Sequence, residues 1–260
     1  MNILVCIKEI QNPELPSELF RVDEVKKQLI FFPNASLVTS PFDAQAIEAA
    51  LRIRDSMSDT KITLITLGPS GSQAALKRGL AMGADAGILV SDSHAQSSGP
   101  FETVRKLCHA IRDAGDFDLI ITGRQAADFD AGIVGCGMAE VLGIPVLAFA
   151  RSVRVANGRV VVERVLDDGF ETVETPTPCL VTVSNELGEP RKASLRLTMQ
   201  AAKKPIVTVK AIEVDENQGR RTRERLFIAS RNTDCEMFSQ STPGDIAREV
   251  TARLAATRMI

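Results

Sequence analysis

The sequence predicts an α/β fold built on a parallel sheet, with antiparallel strands added to it and an extended C-terminal arm. Three observations carry that expectation. Short apolar runs without helical period alternate four times with stretches of helical period in the first 142 residues, and that rhythm is what parallel strands joined by right-handed crossovers require. After Pro145 the rhythm changes to strands alone, with Asn157-Gly158 as a two-residue hairpin turn. Beyond residue 205 charges interrupt short apolar pieces, a pattern that packs poorly on itself. The division implied is a domain over 1–205 and an arm over 206–260.

Taken in order, residues 2–7 read as a central strand buried on both faces, with Lys8 and Glu9 at its carboxyl end, the rim where open parallel sheets hold ligands. Pro13, Pro16 and Pro33 punctuate a less regular stretch in which residues 29–32 suggest an edge hairpin. Ala46, Ile47, Ala50, Leu51 and Ile53 recur at helical spacing, with Ser40 placed to cap that helix and Pro41 suited to its first turn. A strand over 61–67 turns through Gly68-Pro-Ser-Gly-Ser72 into a helix over 73–82; no Gly-Lys-Ser/Thr ends that turn, so it is not a P-loop. A third strand follows over 86–90, and a helix over 101–114 that gathers Val104, Leu107, Cys108 and Ile111 on one face.

The fourth strand, 118–122, runs into Gly123, polar residues and a small-residue helix over 131–142. A buried strand that ends in a glycine turn and opens into a helix presents unpaired backbone N–H groups where the helix dipole also favours an anion. The same pattern describes an ordinary crossover whose glycine only makes the turn. Gly132, Gly135 and Gly137 each cost the helix about 1 kcal/mol relative to Ala, so a close approach to a ligand or strand must offset them. Strands then follow over 148–155, 160–166, 170–175 and 179–183, a helix over 195–203, an extended segment over 206–214 and a last helix over 245–257.

Composition excludes several functions. Lys and Arg total 31 against 33 Asp and Glu, a net charge of −2, so there is no basic footprint for nucleic acid. No apolar run reaches the roughly 18 residues of a membrane span, and Met1 to Val5 enters a strand without a signal pattern, so the expectation is a soluble, cytoplasmic protein. Five cysteines lie far apart with no C-x-x-C pair, and His94 and His109 are the two histidines, too few for a multi-His metal site. Trp and Tyr are absent, so aromatic stacking on nucleobases is no general strategy here.

The chain resembles the β subunits of electron-transfer flavoproteins. The resemblance rests on Asn2-Ile-Leu-Val-Cys-Ile-Lys8, Ser40-Pro-Phe-Asp43, Leu80-Ala-Met-Gly-Ala-Asp-Ala-Gly87, Gly123-Arg-Gln-Ala-Ala-Asp128, Pro178-Cys-Leu-Val-Thr-Val183, Glu186-Leu-Gly-Glu-Pro-Arg191 and Ala201-Ala-Lys-Lys-Pro-Ile206, in that order along most of the chain. It implies an adenine nucleotide hydrolase-like, Rossmann-like domain and a non-catalytic subunit in a heterodimer with a larger α subunit. That partner would hold most of an FAD, which takes electrons from acyl-CoA or other flavin dehydrogenases and passes them on.

By the same resemblance the β subunit buries an AMP, and in electron-bifurcating relatives a second FAD takes its place. The site carried over is Cys6, Ser40, Pro41, Phe42, Asp43, Leu67, Gly123, Arg124, Gln125, Ala126, Asp128, Phe129, Asp130, Ala131, Gly132, Ile133 and Val134. The backbone N–H groups of 128–134 would face the phosphate, with Gly132 keeping a Cβ away and Arg124 either adding a charge-assisted bond or standing solvated at the rim. Two departures bear on it: Ser40 stands where the family has Asn, and Phe129 with Ala131-Gly132-Ile-Val matches neither the AMP-type nor the bifurcating pattern, leaving the nucleotide open with AMP the commoner state. The docking segment carried over is Glu189, Pro190, Arg191 and Leu195, with Lys192 in place of the family's aromatic residue. Leu195 is either a dehydrogenase contact or a staple in the helix core.

Two other readings stand beside this one. A nucleotide-binding regulatory protein on the same fold would have no reason to carry the segment from Phe170 to Ile206. An enzyme acting on adenylates would need a paired acid and base, a P-loop lysine or a metal cluster, and none is legible.

Overall fold

The structure is a computed structural model that describes residues 1–16, 19–30, 37–214, 223–228, 235–239 and 242–260. It divides into two compact units, Met1–Leu226 and Phe227–Ile260. The first is organised by β1 (Asn2–Cys6), whose Ile3 to Cys6 are buried. Short strands β2 (Glu9–Gln11), β3 (Arg21–Asp23), β4 (Gln28–Ile30) and β5 (Leu37–Thr39) follow, with β2 pairing β5 and β3 pairing β4, both antiparallel. The hairpin expected near residues 29–32 is thus the β3–β4 pair; Phe31 and Phe32 lie outside the described residues.

With β1 as the first strand, four strand–helix rounds arise as the periodicity predicts. They continue through α1 (Pro41–Ser56), β6 (Lys61–Gly68), α2 (Gln73–Met82), β7 (Ala86–Ser91), α3 (Pro100–Ala114), β8 (Leu119–Gly123) and α4 (Val134–Leu142). The chain continues through β9 (Val146–Ala156), β10 (Arg159–Leu166), β11 (Gly169–Pro176), β12 (Cys179–Val183), α5 (Leu195–Ala201) and β13 (Ile206–Lys210). Asn157 and Gly158 have φ of 52° and 72°, the left-handed pair that a type I′ turn requires. Ile206–Lys210, expected as the start of the arm, is instead an edge strand running parallel to β7.

One nine-stranded sheet results, in the order β11-β10-β9-β12-β8-β1-β6-β7-β13. From β9 to β13 across that order all neighbours are parallel, and β10 and β11 add an antiparallel ladder at one edge. Ala46, Ile47 and Leu51 of α1 and Leu76 and Leu80 of α2 pack with Ile3 and Val5 on one face. Val104 and Leu107 of α3 and Met138 of α4 pack with Leu4 and Cys6 on the other. Alternate residues of β1 therefore feed two cores, which is why its sequence reads as a continuous apolar run. The chain winds from β1 outward to β6 and β7, then returns past β1 to β8. Strand order reverses there, and in open α/β sheets the crevice at such a switch point is where ligands bind.

The second unit contains α6 (Pro243–Ala256), none of whose residues is buried. Its start is satisfied locally, since the Thr242 hydroxyl accepts the Asp245 N–H at 3.2 Å.

Candidate functional site

At the switch point a cavity of about 380 Å³ opens at the carboxyl ends of β1, β6 and β8. Cys6, Leu67, Leu107, Thr122 and Gly135 are among the residues that line it, with Lys8, Phe129, Leu29 and Arg223 also in its wall. Of the residues expected from sequence, Cys6, Asp43, Leu67, Gly123, Arg124, Gln125, Ala126, Asp128, Phe129, Ala131, Gly132, Ile133 and Val134 line it. Ser40, Pro41, Phe42 and Asp130 do not.

Ser40 is placed at the start of α1, but its hydroxyl does not cap that helix; its Oγ lies 3.4 Å from the Ala127 N–H and so braces the loop after β8. The expected cap is corrected accordingly: the Ser40 carbonyl, not its side chain, receives the Asp43 and Ala44 N–H groups. Asp43 joins the two central strand ends. Its carboxylate accepts the Lys8 N–H at 2.8 Å and the Gly123 N–H at 3.2 Å. Burial pushes this carboxyl up to about 7, and the two N–H donors only partly offset it. A Cβ on Gly123 would lie 2.6 Å from Asp43 Oδ1 and 2.9 Å from the Phe42 backbone carbon, so this glycine is required by close approach. Cys6 is inert for the reason Asp43 is perturbed: burial, then the Asp43 charge, raises its thiol.

The loop between β8 and α4 folds on itself before the helix begins. The Asp130 N–H reaches the Ala126 carbonyl at 2.9 Å, the Phe129 N–H reaches Asp128 Oδ1 at 3.0 Å, and Gln125 Nε2 reaches Asp130 Oδ1 at 2.8 Å. These bonds correct the expected anion seat, because the N–H groups of Phe129 and Asp130 are already engaged. The helix also starts at Val134 rather than Ala131. Its first bond is from the Gly137 N–H to the Ile133 carbonyl, so the N–H groups of Val134, Gly135 and Cys136 have no acceptor within the helix. Ile133 at the cap position offers no side-chain acceptor. A helix start left open at a cavity wall is suited to an anion.

The three glycines serve different ends. Gly132 has φ of +62°, a left-handed turn residue with only the Arg124 carbonyl oxygen near its missing Cβ, at 3.6 Å. Gly135 lets α4 press on the sheet, since a Cβ there would meet Thr122 Oγ1 at 2.7 Å and Thr182 Cγ2 at 2.9 Å. Gly137 does the same against Val104 of α3.

Three cations border the cavity. Lys8 Nζ pairs with Asp128 Oδ2 at 2.6 Å. Arg124 turns towards Phe42, 5.0 Å from the ring centre, and towards Ser184 Oγ at 3.3 Å. Arg223 lies 5.1 Å from the Phe129 ring centre and donates to the Lys27 carbonyl at 2.7 Å. Sequence reasoning missed Arg223, Gln28, Leu29, Ser98, Pro100 and Thr103 as wall residues. Gly99-Pro100 marks a helix start after a parallel strand, a signal that could have found the α3 group; nothing local marks Arg223.

The segment expected to dock lies elsewhere. Arg191 grips α1, with Nε on Glu48 Oε2 at 2.8 Å and Nη2 on Asp55 Oδ2 at 2.7 Å. Burial would raise Glu48, but the bonds from Arg191 and Arg52 outweigh it and hold this carboxyl low. Leu195 opens α5 with 79% of its surface exposed, and Met199 one turn on is 67% exposed. Among the described residues no helix is long and apolar enough to cross a membrane, and no group of three metal-ligating side chains is present.

Comparison with known proteins gives this geometry a lineage. The electron transfer flavoprotein domain matches residues 34–214. Electron transfer flavoprotein subunit beta of Thermoanaerobacterium thermosaccharolyticum is 35% identical over 254 residues, spanning 96% of this chain and 95% of the relative. The subunit of that name from Megasphaera elsdenii is 37% identical, spanning 82% and 80%. The caffeyl-CoA reductase-Etf complex subunit CarD of Acetobacterium woodii is 33% identical, spanning 79% and 77%. By that domain match and those identities over most of its length, the chain belongs to the family of electron-transfer flavoprotein β subunits.

Proposed function

We propose that the chain pairs with a larger flavoprotein α subunit in the cytoplasm and acts as an electron-carrier subunit, holding an adenine nucleotide, AMP in the first instance, in the switch-point cavity. The observation that carries this reading is the open start of α4, whose first residues Val134 and Gly135, with N–H groups that have no acceptor in the helix, line a cavity with an apolar floor. The donors suit the phosphate, and Cys6, Leu67 and Leu107 suit the base. At about 380 Å³ the cavity falls within the roughly 300–1,000 Å³ range of small-molecule sites. AMP brings no redox chemistry, so its part is structural, and the FAD that exchanges electrons is held mainly by the partner.

Leu195 and Met199, exposed on a helix that Arg191 anchors to α1, are the contact offered to an acyl-CoA or other flavin dehydrogenase. α6, with its half-exposed Ile246, Val250 and Leu254 on one face, belongs to the arm laid on the α subunit.

Acid extraction of the purified heterodimer followed by chromatography tests the nucleotide. One AMP per heterodimer supports the reading. A second FAD replaces AMP with a bifurcating role, and no nucleotide overturns the site. Gly132→Val, which forces a β-branched residue to positive φ beside the seat, is expected to abolish retention and to lower stability by the lost RT ln(1 + [L]/Kd).

A further inference from the structure

The charges around the cavity are unevenly satisfied. Lys8 is neutralised by Asp128 at 2.6 Å, and Glu9 by Arg78 at 2.5 Å. Asp43 spends its carboxylate on two backbone N–H groups. Arg124 faces Phe42 and Ser184. Arg223 is different. It comes from a segment about ninety residues beyond the loop it meets, enters the cavity wall, and among the described residues has no carboxylate partner. Its guanidinium is held by the Lys27 carbonyl and by the Phe129 ring, on which the Lys8 ammonium also rests at 5.5 Å. The ammonium on that ring is already paired with Asp128, whereas the guanidinium is not paired with a carboxylate among the described residues, so a phosphate beside it would supply the missing counter-charge. Phe129 stands three residues before Gly132, so the ring and its cations border the same wall as the open start of α4.

We propose that Arg223 is a nucleotide-binding residue: a strap from the C-terminal segment that closes the cavity mouth over Phe129 and supplies the charge needed by the phosphate of the adenine nucleotide. The inference rests on the nucleotide reading above and adds to it a residue that the strand and loop motifs do not contain. A helix start carries only about half a positive charge, and Lys8 is taken by Asp128, so the phosphate dianion needs a further cation. Phe129 holds Arg223 extended across the opening, and its 42% exposure places it at the surface rather than in the floor. The strap thereby adds to affinity through the phosphate, beside what the apolar floor contributes through the base.

The test uses the heterodimer stripped of nucleotide, titrated calorimetrically with AMP and separately with adenosine, for wild type, Arg223→Gln and Arg223→Lys. Arg223→Gln is expected to weaken AMP by at least about tenfold, the loss of one charge-assisted bond, while adenosine stays within about twofold. Arg223→Lys should recover most of the AMP affinity, and wild-type AMP binding should fall more steeply with added salt than that of Arg223→Gln. Equal losses for AMP and adenosine would assign Arg223 a purely structural role and overturn the strap, as would an unchanged AMP affinity. Should Arg223→Gln not assemble, wild type and Arg223→Lys decide: AMP binding insensitive to salt in both overturns the proposal. A wild-type complex that binds neither ligand defeats the nucleotide reading itself, an outcome distinct from failure of the strap alone.

Discussion

The two ends of the sheet solve the same problem in opposite ways. In the parallel half, β1, β6 and β8 are covered on both faces, and Leu119 to Gly123 are buried without exception. The backbone N–H groups of Val134, Gly135 and Cys136 lie at the start of α4, beside the carboxyl ends of these strands, and the cavity lies at that line. In the antiparallel ladder one face is solvated, and the strands are stitched by side chains: Arg159 to Glu174 at 3.0 Å, Arg164 to Glu171 at 3.4 Å, Arg151 to Glu163 at 2.8 Å. Charges on β11 also blunt an edge that would otherwise invite another strand. The parallel half is built to receive something at its rim, whereas the ladder is complete in itself.

Substitutions can break or sharpen that contrast. The largest effect is expected at the rim. Gly123→Val places a branched side chain against Asp43 and the Phe42 backbone, and should cost about 3 kcal/mol or more in urea unfolding. If the variant unfolds with wild-type stability, the rim is not the tightly packed end described here.

Next in size is the pH dependence of Asp43, raised from 3.8 to about 7 by burial. Between those values the folded chain holds a proton that the unfolded chain has released, so stability falls as pH rises from about 4 to 7 and then levels. Relative to Asp43→Asn, wild type should lose on the order of 3 kcal/mol over that window, read from urea melts at each pH. A difference that stays flat with pH would mean that the carboxyl titrates normally.

The ladder should respond weakly. A double-mutant cycle on Arg159→Ala and Glu174→Ala is expected to give a coupling of about 0.2–1 kcal/mol that fades in high salt, because both side chains are largely solvated. Smallest of all is Leu195→Ala. With 79% of the side chain exposed, stability should change by less than about 0.5 kcal/mol while electron transfer with the dehydrogenase slows. A loss of stability with unaltered transfer would return Leu195 to a packing role.

Where the chain obeys one period, its fold could be read from sequence. The helix over 73–82 and the hairpin at Asn157-Gly158 needed only local rules, and the structure places both there. The start of α4 was misjudged by three residues because Ala131 and Gly132 look like helix, yet Asp130 and Gly132 are held at positive φ by loop bonds invisible to periodicity. Ser40 was legible in place but not in role, since its hydroxyl serves a residue 87 positions away. Arg223 was not legible at all. Its position depends on contacts with Lys27 and Phe129, and no spacing rule connects residues so distant in the chain.

Phe149 sits where β9 changes step against its neighbours. Its φ of +61° is unusual for an aromatic residue, and its N–H leaves the ladder for the Thr182 hydroxyl at 3.1 Å. At that point the pairing of β9 with β12 steps from Leu147 opposite Val181 to Ala150 opposite Val183, and a second step against β10 follows between Ser152 and Ala150. Leu147, Ala150 and Val153 therefore all face inward at a spacing of three rather than two. The strand works as a phase shifter between two wave patterns, entering in step with its parallel neighbour and leaving in step with its antiparallel one. Removal of a single residue there would not shorten a loop; it would invert which side of the ladder is wet.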